Sequence, residues 1–187
     1  MEKNIILVSH CMLNIFSKVE NFGEEEGRED ARKKIIKTII DNEIGIIQLP
    51  CPELIMYGSK RWGHVKDQFD TPYFRNTCKK ELETYILQIE EYINNGYNII
   101  GILGIDGSPS CGINLTCRGN WKGEIGSNPN LKDTINTISY TKEMGVMMEE
   151  LKKLIKEKNI DIDMFGFTTE NAEEICKYIE NKIVCKK

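Results

Sequence analysis

Short apolar runs alternate with longer stretches of helical periodicity along the 187-residue chain. Runs rich in β-branched residues predict strands, and apolar positions three and four residues apart predict amphipathic helices. Strands that alternate with helices favour βαβ units, so we expect a three-layer α/β sandwich with a mainly parallel, flavodoxin-like sheet. The predicted strands cover 4–9, 45–49, 98–103 and 162–167, and the predicted helices cover 31–42, 78–95, 141–156 and 169–181, the last with Thr169 as N-cap.

Length and charge narrow the class of protein. We expect 1–187 to form a single α/β domain, because the chain is of ordinary domain size and has no repeat, linker or low-complexity tract. The formal net charge of −4 argues against nucleic-acid binding. No apolar run is long enough for a membrane span, and the N-terminus lacks the features of a signal peptide. We therefore expect a cytoplasmic protein whose charge-rich stretch 24–34 is a solvated entry to a helix.

The chain has seven cysteines, which in a reducing compartment need an explanation other than structural disulfides. Cys11, Cys51 and Cys111 each come just past the end of one of the first three predicted strands. Neighbouring parallel strands lie about 4.8 Å apart and end at the same edge of the sheet, so three thiols can meet there. Cys117 is a candidate fourth ligand, and the others are interpreted as packing residues or exposed thiols: Cys78, Cys176 and Cys185.

Three convergent thiolates leave one coordination position of a metal centre open. An iron–sulfur cluster with one free iron and a Cys₃ zinc site with a bound water both fit this pattern, and chance clustering is the remaining interpretation. Glu53 lies two residues after Cys51. It is a candidate proton donor or acceptor, and its other interpretation is a helix or turn cap. Ser108 and Ser110 precede Cys111 and can offer hydroxyl groups to a substrate.

Three motifs, SHCML at 9–13, CPE at 51–53 and SPSCG at 108–112, resemble the signature of the TudS-like thiouracil desulfidase family. The resemblance implies a [4Fe-4S] cluster held by three cysteines, with one open iron that takes the sulfur of a thiolated pyrimidine. Water then replaces that sulfur, which leaves as sulfide. By motif position, the cluster ligands are Cys11, Cys51 and Cys111, and the catalytic residues are Glu53 and Ser110.

The segments that follow the second and third motifs depart from the usual family pattern, which leaves the substrate open beyond a small thio-heterocycle. His64 is a candidate contact from a lid, Trp62 and Trp121 are candidate stacking platforms, and His10 is a candidate neighbour of Cys11. Four alternatives to a desulfidase remain: a dehydratase-like lyase, a zinc hydrolase, a thiol enzyme using Cys51 or Cys111, and a non-catalytic ligand-binding module.

Overall fold

The computed structural model describes residues 3–23 and 26–184. Its main sheet has four parallel strands in the order β2-β1-β3-β6, which is the strand order that begins a flavodoxin-like sheet. A separate ribbon pairs β4 with β5 in antiparallel register. The strands are β1 (Asn4–Val8), β2 (Gly45–Gln48), β3 (Asn98–Ile105), β4 (Thr116–Arg118), β5 (Ser139–Thr141) and β6 (Met164–Phe167).

Helices cover both faces of the main sheet, which confirms the predicted three-layer α/β sandwich. One layer contains α2 and α8, which pack on each other, and the other contains α5 and α7. The helices are α1 (His10–Leu13), α2 (Arg28–Asp41), α3 (Pro52–Tyr57), α4 (Lys66–Phe69), α5 (Pro72–Asn94), α6 (Leu131–Ile135), α7 (Val146–Glu157) and α8 (Ala172–Val184), with a 3₁₀ turn at Ile15–Ser17.

The core lies between these layers. All five residues of β1 are buried, and so are the last six of β3, because a parallel strand is covered on both faces. This explains why both strands are continuous apolar runs in the sequence. Within 3–23 and 26–184, no helix combines the length and apolarity needed to cross a membrane.

Several predicted element boundaries are wrong for local reasons. Helix α5 begins at Pro72 and not at 78, because the Thr71 hydroxyl accepts the Phe74 N–H at 3.2 Å and caps the helix. Helix α7 begins at Val146 and not at 141, because Thr141 ends β5 and the Gly145 N–H donates to the Gly112 carbonyl at 2.9 Å. Helix α8 begins at Ala172, so Thr169 is not its N-cap.

Two sequence predictions fall partly or wholly outside the described residues. Residues 24 and 25 of the charge-rich stretch are not among them, while the later part of the stretch forms the first turns of α2. Cys185 also lies outside them.

Candidate active site

A cavity of about 810 Å³ opens at the carboxyl ends of the parallel strands. It is lined from β3 by Ile105 and from the segment after β6 by Thr168 and Thr169. The strand order reverses between β1 and β3, and ligands of open parallel α/β sheets bind at such a switch point. The fold therefore puts this cavity where a ligand site is expected.

Cys11 reaches the cavity because the chain turns sharply at the end of β1. The Ser9 N–H donates to the Leu103 carbonyl at 2.9 Å, and helix α1 begins at the next residue. The half-buried Cys11 side chain lines the cavity. Burial raises the pKa of its thiol to about 11, with the neighbouring Cys51 and Glu53 adding to the increase.

Cys51 lies between β2 and α3. The Leu49 N–H donates to the Val8 carbonyl at 2.8 Å, and Pro52 then starts α3 at a position where a missing N–H costs nothing. Burial is also the largest cause of the raised pKa of the Cys51 thiol, which a hydrogen bond from the backbone N–H of Leu54 partly offsets.

The third cysteine is delivered by a loop that folds back onto β3. Cys111 is buried, and its backbone carbonyl accepts the Ile105 N–H at 2.9 Å. A Cβ atom at Gly104 would lie 2.5 Å from that carbonyl oxygen, so the close approach requires glycine. Burial raises the pKa of the Cys111 thiol well above its usual value, and proximity to Cys11 and Cys51 raises it further.

Asp106 holds this loop in shape. Its Oδ1 accepts backbone N–H groups from Ile113 at 2.9 Å, Asn114 at 2.8 Å and Leu115 at 3.3 Å. Its Oδ2 accepts the side-chain amide of Asn114 at 3.0 Å. This carboxylate therefore organises the segment that carries Ser110 and Cys111.

Glu53 and Ser110 form a direct hydrogen bond inside the cavity. The Ser110 hydroxyl donates to Oε1 of Glu53 at 2.6 Å and lies 3.4 Å from the Cys111 sulfur. On the other side of the carboxylate, Arg61 Nε donates to Glu53 Oε2 at 3.3 Å. All three side chains are largely withdrawn from solvent. The two residues predicted to be catalytic are therefore adjacent to each other and to one predicted ligand.

The remaining predicted residues separate into two groups. His64 and Cys117 line the cavity, and the Cys117 thiol donates to the His64 carbonyl at 3.4 Å. Trp62 is exposed, and neither it nor Trp121 nor His10 lines the cavity. Cys78 and Cys176 are buried in α5 and α8, in agreement with their interpretation as packing residues.

The His64 imidazole packs against two aromatic rings, with ring centroids 4.9 Å from Tyr57 and 4.7 Å from Phe69. Burial lowers its pKa, so the ring is neutral at neutral pH. Its Nδ1 atom has no hydrogen-bond partner among the described residues. A neutral imidazole with a free ring nitrogen can contact a ligand in the cavity.

The thiols do not form a site for a single shared ion. In the described part of the chain, no three His, Cys, Asp or Glu side chains converge closely enough to hold a metal ion. A four-iron cluster makes a different demand, because each cysteine binds its own iron and the thiols surround the cluster. The three cysteines line one cavity, and Cys51 lies close enough to raise the pKa of both Cys11 and Cys111. They match that donor set in type and number.

Arg61 and Asp106 are the site residues that sequence reasoning missed. Neither residue belongs to a local sequence pattern. Arg61 donates to Glu53 from the loop between α3 and α4, and Asp106 accepts backbone N–H groups from residues seven to nine positions later in the chain. The only signal in the sequence for either residue is that it is charged and lies near a cysteine motif, Arg61 after CPE and Asp106 before SPSCG.

The fold and the cavity together define a parallel α/β protein with a cysteine-rich site at the carboxyl edge of its sheet. The chain is 32% identical over 178 residues to Uncharacterized protein MJ0003 of Methanocaldococcus jannaschii, an alignment that spans 95% of this chain and 94% of that protein. The chain belongs to the same family as that archaeal protein. No family model and no solved structure matches the chain.

Proposed function

We propose that this protein is an iron–sulfur-dependent, non-redox desulfidase that releases sulfide from a thiolated pyrimidine or a similar small thio-heterocycle. The observation that carries the proposal is the Ser110–Glu53 hydrogen bond of 2.6 Å in a cavity that Cys11, Cys51 and Cys111 also line. The proposed substrate class comes from the resemblance of the three sequence motifs to the TudS-like thiouracil desulfidase family. The cavity volume of about 810 Å³ is within the usual range for small-molecule sites.

The donor set favours an iron–sulfur cluster held by Cys11, Cys51 and Cys111. Cysteine thiolates are the usual ligands of such clusters, and three of them leave one iron of a [4Fe-4S] cluster open. When bound, the cluster would supply a soft Lewis acid suited to a thione sulfur. The side-chain geometry argues against the alternative of a Cys₃ zinc hydrolase, because no three donors in the described residues converge on one ion.

A plain thiol enzyme is also disfavoured. A nucleophilic cysteine needs a lowered pKa or an adjacent base, so that the thiolate is present at neutral pH. Burial instead raises the pKa of Cys11 to about 11 and raises the pKa of both Cys51 and Cys111. These thiols are better suited to bind a metal cluster, which displaces their protons, than to attack a substrate.

Glu53 is the general base of the proposed reaction. A water oxygen bonds to the thione carbon, the carbon–sulfur bond breaks, and sulfur leaves as sulfide with both bonding electrons. Glu53 accepts one proton from the attacking water and passes it to the departing sulfur, which also takes the second water proton as the carbonyl forms. The products are the carbonyl compound and hydrogen sulfide, so that Glu53 returns to its starting state. No electron is transferred overall, so the reaction needs no reductase.

Ser110 orients this base and stabilises the reacting ring. Its hydroxyl donates to Glu53 Oε1, which fixes the direction in which that oxygen's remaining lone pair points. Rotation of the hydroxyl would let it donate instead to the heterocycle, where negative charge develops as water adds. The surrounding residues exclude solvent, since Ser110 has no exposed surface and Glu53 is buried.

Anaerobic reconstitution followed by sulfide measurement tests the proposal, with 2-thiouracil and 4-thiouracil as substrates. We expect sulfide and uracil in equal amounts from the wild type and a loss of about 100-fold or more in kcat for Glu53→Gln. Glu83→Gln is the control, because Glu83 is exposed on α5 and does not line the cavity, and it should keep its activity within about twofold. Absence of sulfide release by cluster-loaded wild type, or equal loss in both variants, would contradict the proposal.

A further inference from the structure

Arg61 is a buried arginine whose side chain has only 2% of its surface exposed. It lies in the segment that joins α3 to α4, and three of its nitrogens donate to three separate acceptors. Nε donates to Glu53 Oε2 at 3.3 Å, Nη1 to the Gly58 carbonyl at 3.1 Å, and Nη2 to the Ser17 carbonyl at 2.7 Å. The guanidinium is therefore fixed on every side by the protein itself.

The two carbonyl acceptors belong to segments that follow the first two cysteines. Ser17 ends the 3₁₀ turn after α1, which carries Cys11, and Gly58 caps the end of α3, which begins just after Cys51. Arg61 thus ties these two segments together and presents Nε to only one oxygen of the carboxylate. Because Arg61 occupies Oε2, the other oxygen is left for the Ser110 hydroxyl.

We propose that Arg61 is the positioning residue of this site: it holds the Glu53 carboxylate so that Oε1 faces Ser110 and the substrate, and it acts on the reaction only through Glu53. The kinetic part of this inference rests on the proposed desulfidase function, whereas the structural part does not. Lysine cannot take the same role, because its single nitrogen lacks the planar fork that reaches three acceptors in fixed directions.

The kinetic test compares Arg61→Gln in two backgrounds, wild type and Glu53→Gln. In the wild-type background we expect kcat to fall about 10- to 100-fold with KM unchanged, as for a misplaced catalytic group. In the Glu53→Gln background, Arg61→Gln should cause no further loss. Arg61→Lys should lower kcat in the wild-type background as Arg61→Gln does, because lysine cannot reach the same three acceptors.

Arg32→Gln is the matched control for this series. Arg32 is another largely buried arginine that donates to a backbone carbonyl near Cys11, that of Met12 at 2.6 Å, but its carboxylate partner is Glu29 and not Glu53. Its loss should leave the Glu53-dependent part of kcat intact. A rise in KM with Arg61→Gln in both backgrounds would mean that Arg61 binds the substrate directly, and would overturn the proposal.

A second measurement separates this inference from the proposed function. In the cluster-free protein, a double-mutant cycle on thermal unfolding should show coupling between Arg61→Gln and Glu53→Gln and additive effects for Arg32→Gln with Glu53→Gln. Additivity for both pairs would refute the positioning role. If the wild type released no sulfide, the proposed function would fail while this cycle still decided whether Arg61 holds Glu53. If Arg61→Gln does not fold, Arg61→Lys, which keeps the charge, replaces it in the double-mutant cycle.

Discussion

Burial sets the chemistry of the individual thiols in this protein. Cys11, Cys51 and Cys111 all have raised pKa values, and desolvation is the largest cause in each case. Since the pKa of Cys11 rises to about 11, its thiol stays protonated at neutral pH until a metal displaces the proton. Without a bound metal, these thiols are therefore poorly suited to react with electrophiles at neutral pH.

The prediction at the residue scale concerns how the rate of Cys11 alkylation depends on pH. In the cluster-free native protein at pH 8, we expect iodoacetamide to label Cys11 about 100-fold more slowly than in the urea-unfolded chain, where an ordinary thiol has a pKa near 8.5. Labelling of the native protein should accelerate as the pH rises towards about 11, because the thiolate fraction grows. Peptide mass spectrometry measures both rates, and equal rates at pH 8 would contradict the raised pKa.

At the scale of elements, the sequence predicts the parallel sheet well. Strand β1 is buried along its whole length and is a continuous apolar run in the sequence. Both β1 and the edge strand β2 are predicted to within one residue of their ends. The short helices α1 and α3 were not predicted, because four to six residues carry no readable period. The β4–β5 ribbon was missed for a related reason, since each strand has three residues and they pair across a long loop.

For the candidate site, the sequence likewise predicts where the cysteines meet but not the side-chain contacts around them. That three strand ends would bring Cys11, Cys51 and Cys111 to one cavity follows from the rule for parallel sheets, and the structure places all three there. The contacts of Arg61 do not follow from any such rule, because its partners Ser17 and Glu53 lie in different segments. Side-chain contacts between distant loops depend on packing, which sequence periodicity does not encode.

The prediction at this scale concerns the loop that Asp106 organises. Asp106→Ala removes the acceptor for three backbone N–H groups, so we expect the free energy of unfolding of the cluster-free protein to fall by about 2–4 kcal/mol. Asp161→Ala is the control, because Asp161 is exposed and lies outside the cavity, and it should change stability by less than about 0.5 kcal/mol. Urea unfolding measures both variants, and the same midpoint for Asp106→Ala and wild type would show that the loop does not depend on this carboxylate.

At the scale of the whole molecule, an ionic network around the buried Lys66 lies behind one wall of the cavity. Lys66 has a side chain only 2% exposed and donates to Glu143 at 2.8 Å and to Glu149 at 2.6 Å. Arg75 of α5 pairs with the same Glu149 and with Glu150. The network joins α5, α7 and the segment after the β4–β5 ribbon to the start of α4, which directly follows His64 and Val65. The start of α4, and with it His64 and Val65, is therefore anchored to the sandwich by charges that compensate one another.

The proposed function requires Cys11, Cys51 and Cys111 to hold one iron–sulfur cluster. The most direct test is the iron and acid-labile sulfide content after anaerobic reconstitution, for the wild type and for Cys11→Ala, Cys51→Ala and Cys111→Ala. Cys78→Ala is the matched control, because Cys78 is a buried cysteine of α5 that does not line the cavity.

We expect about four iron and four sulfide per chain in the wild type and in Cys78→Ala, and loss of both in each of the three other variants. Uptake of one zinc ion, uptake of no metal, or a cluster that survives removal of any of the three cysteines would contradict the account.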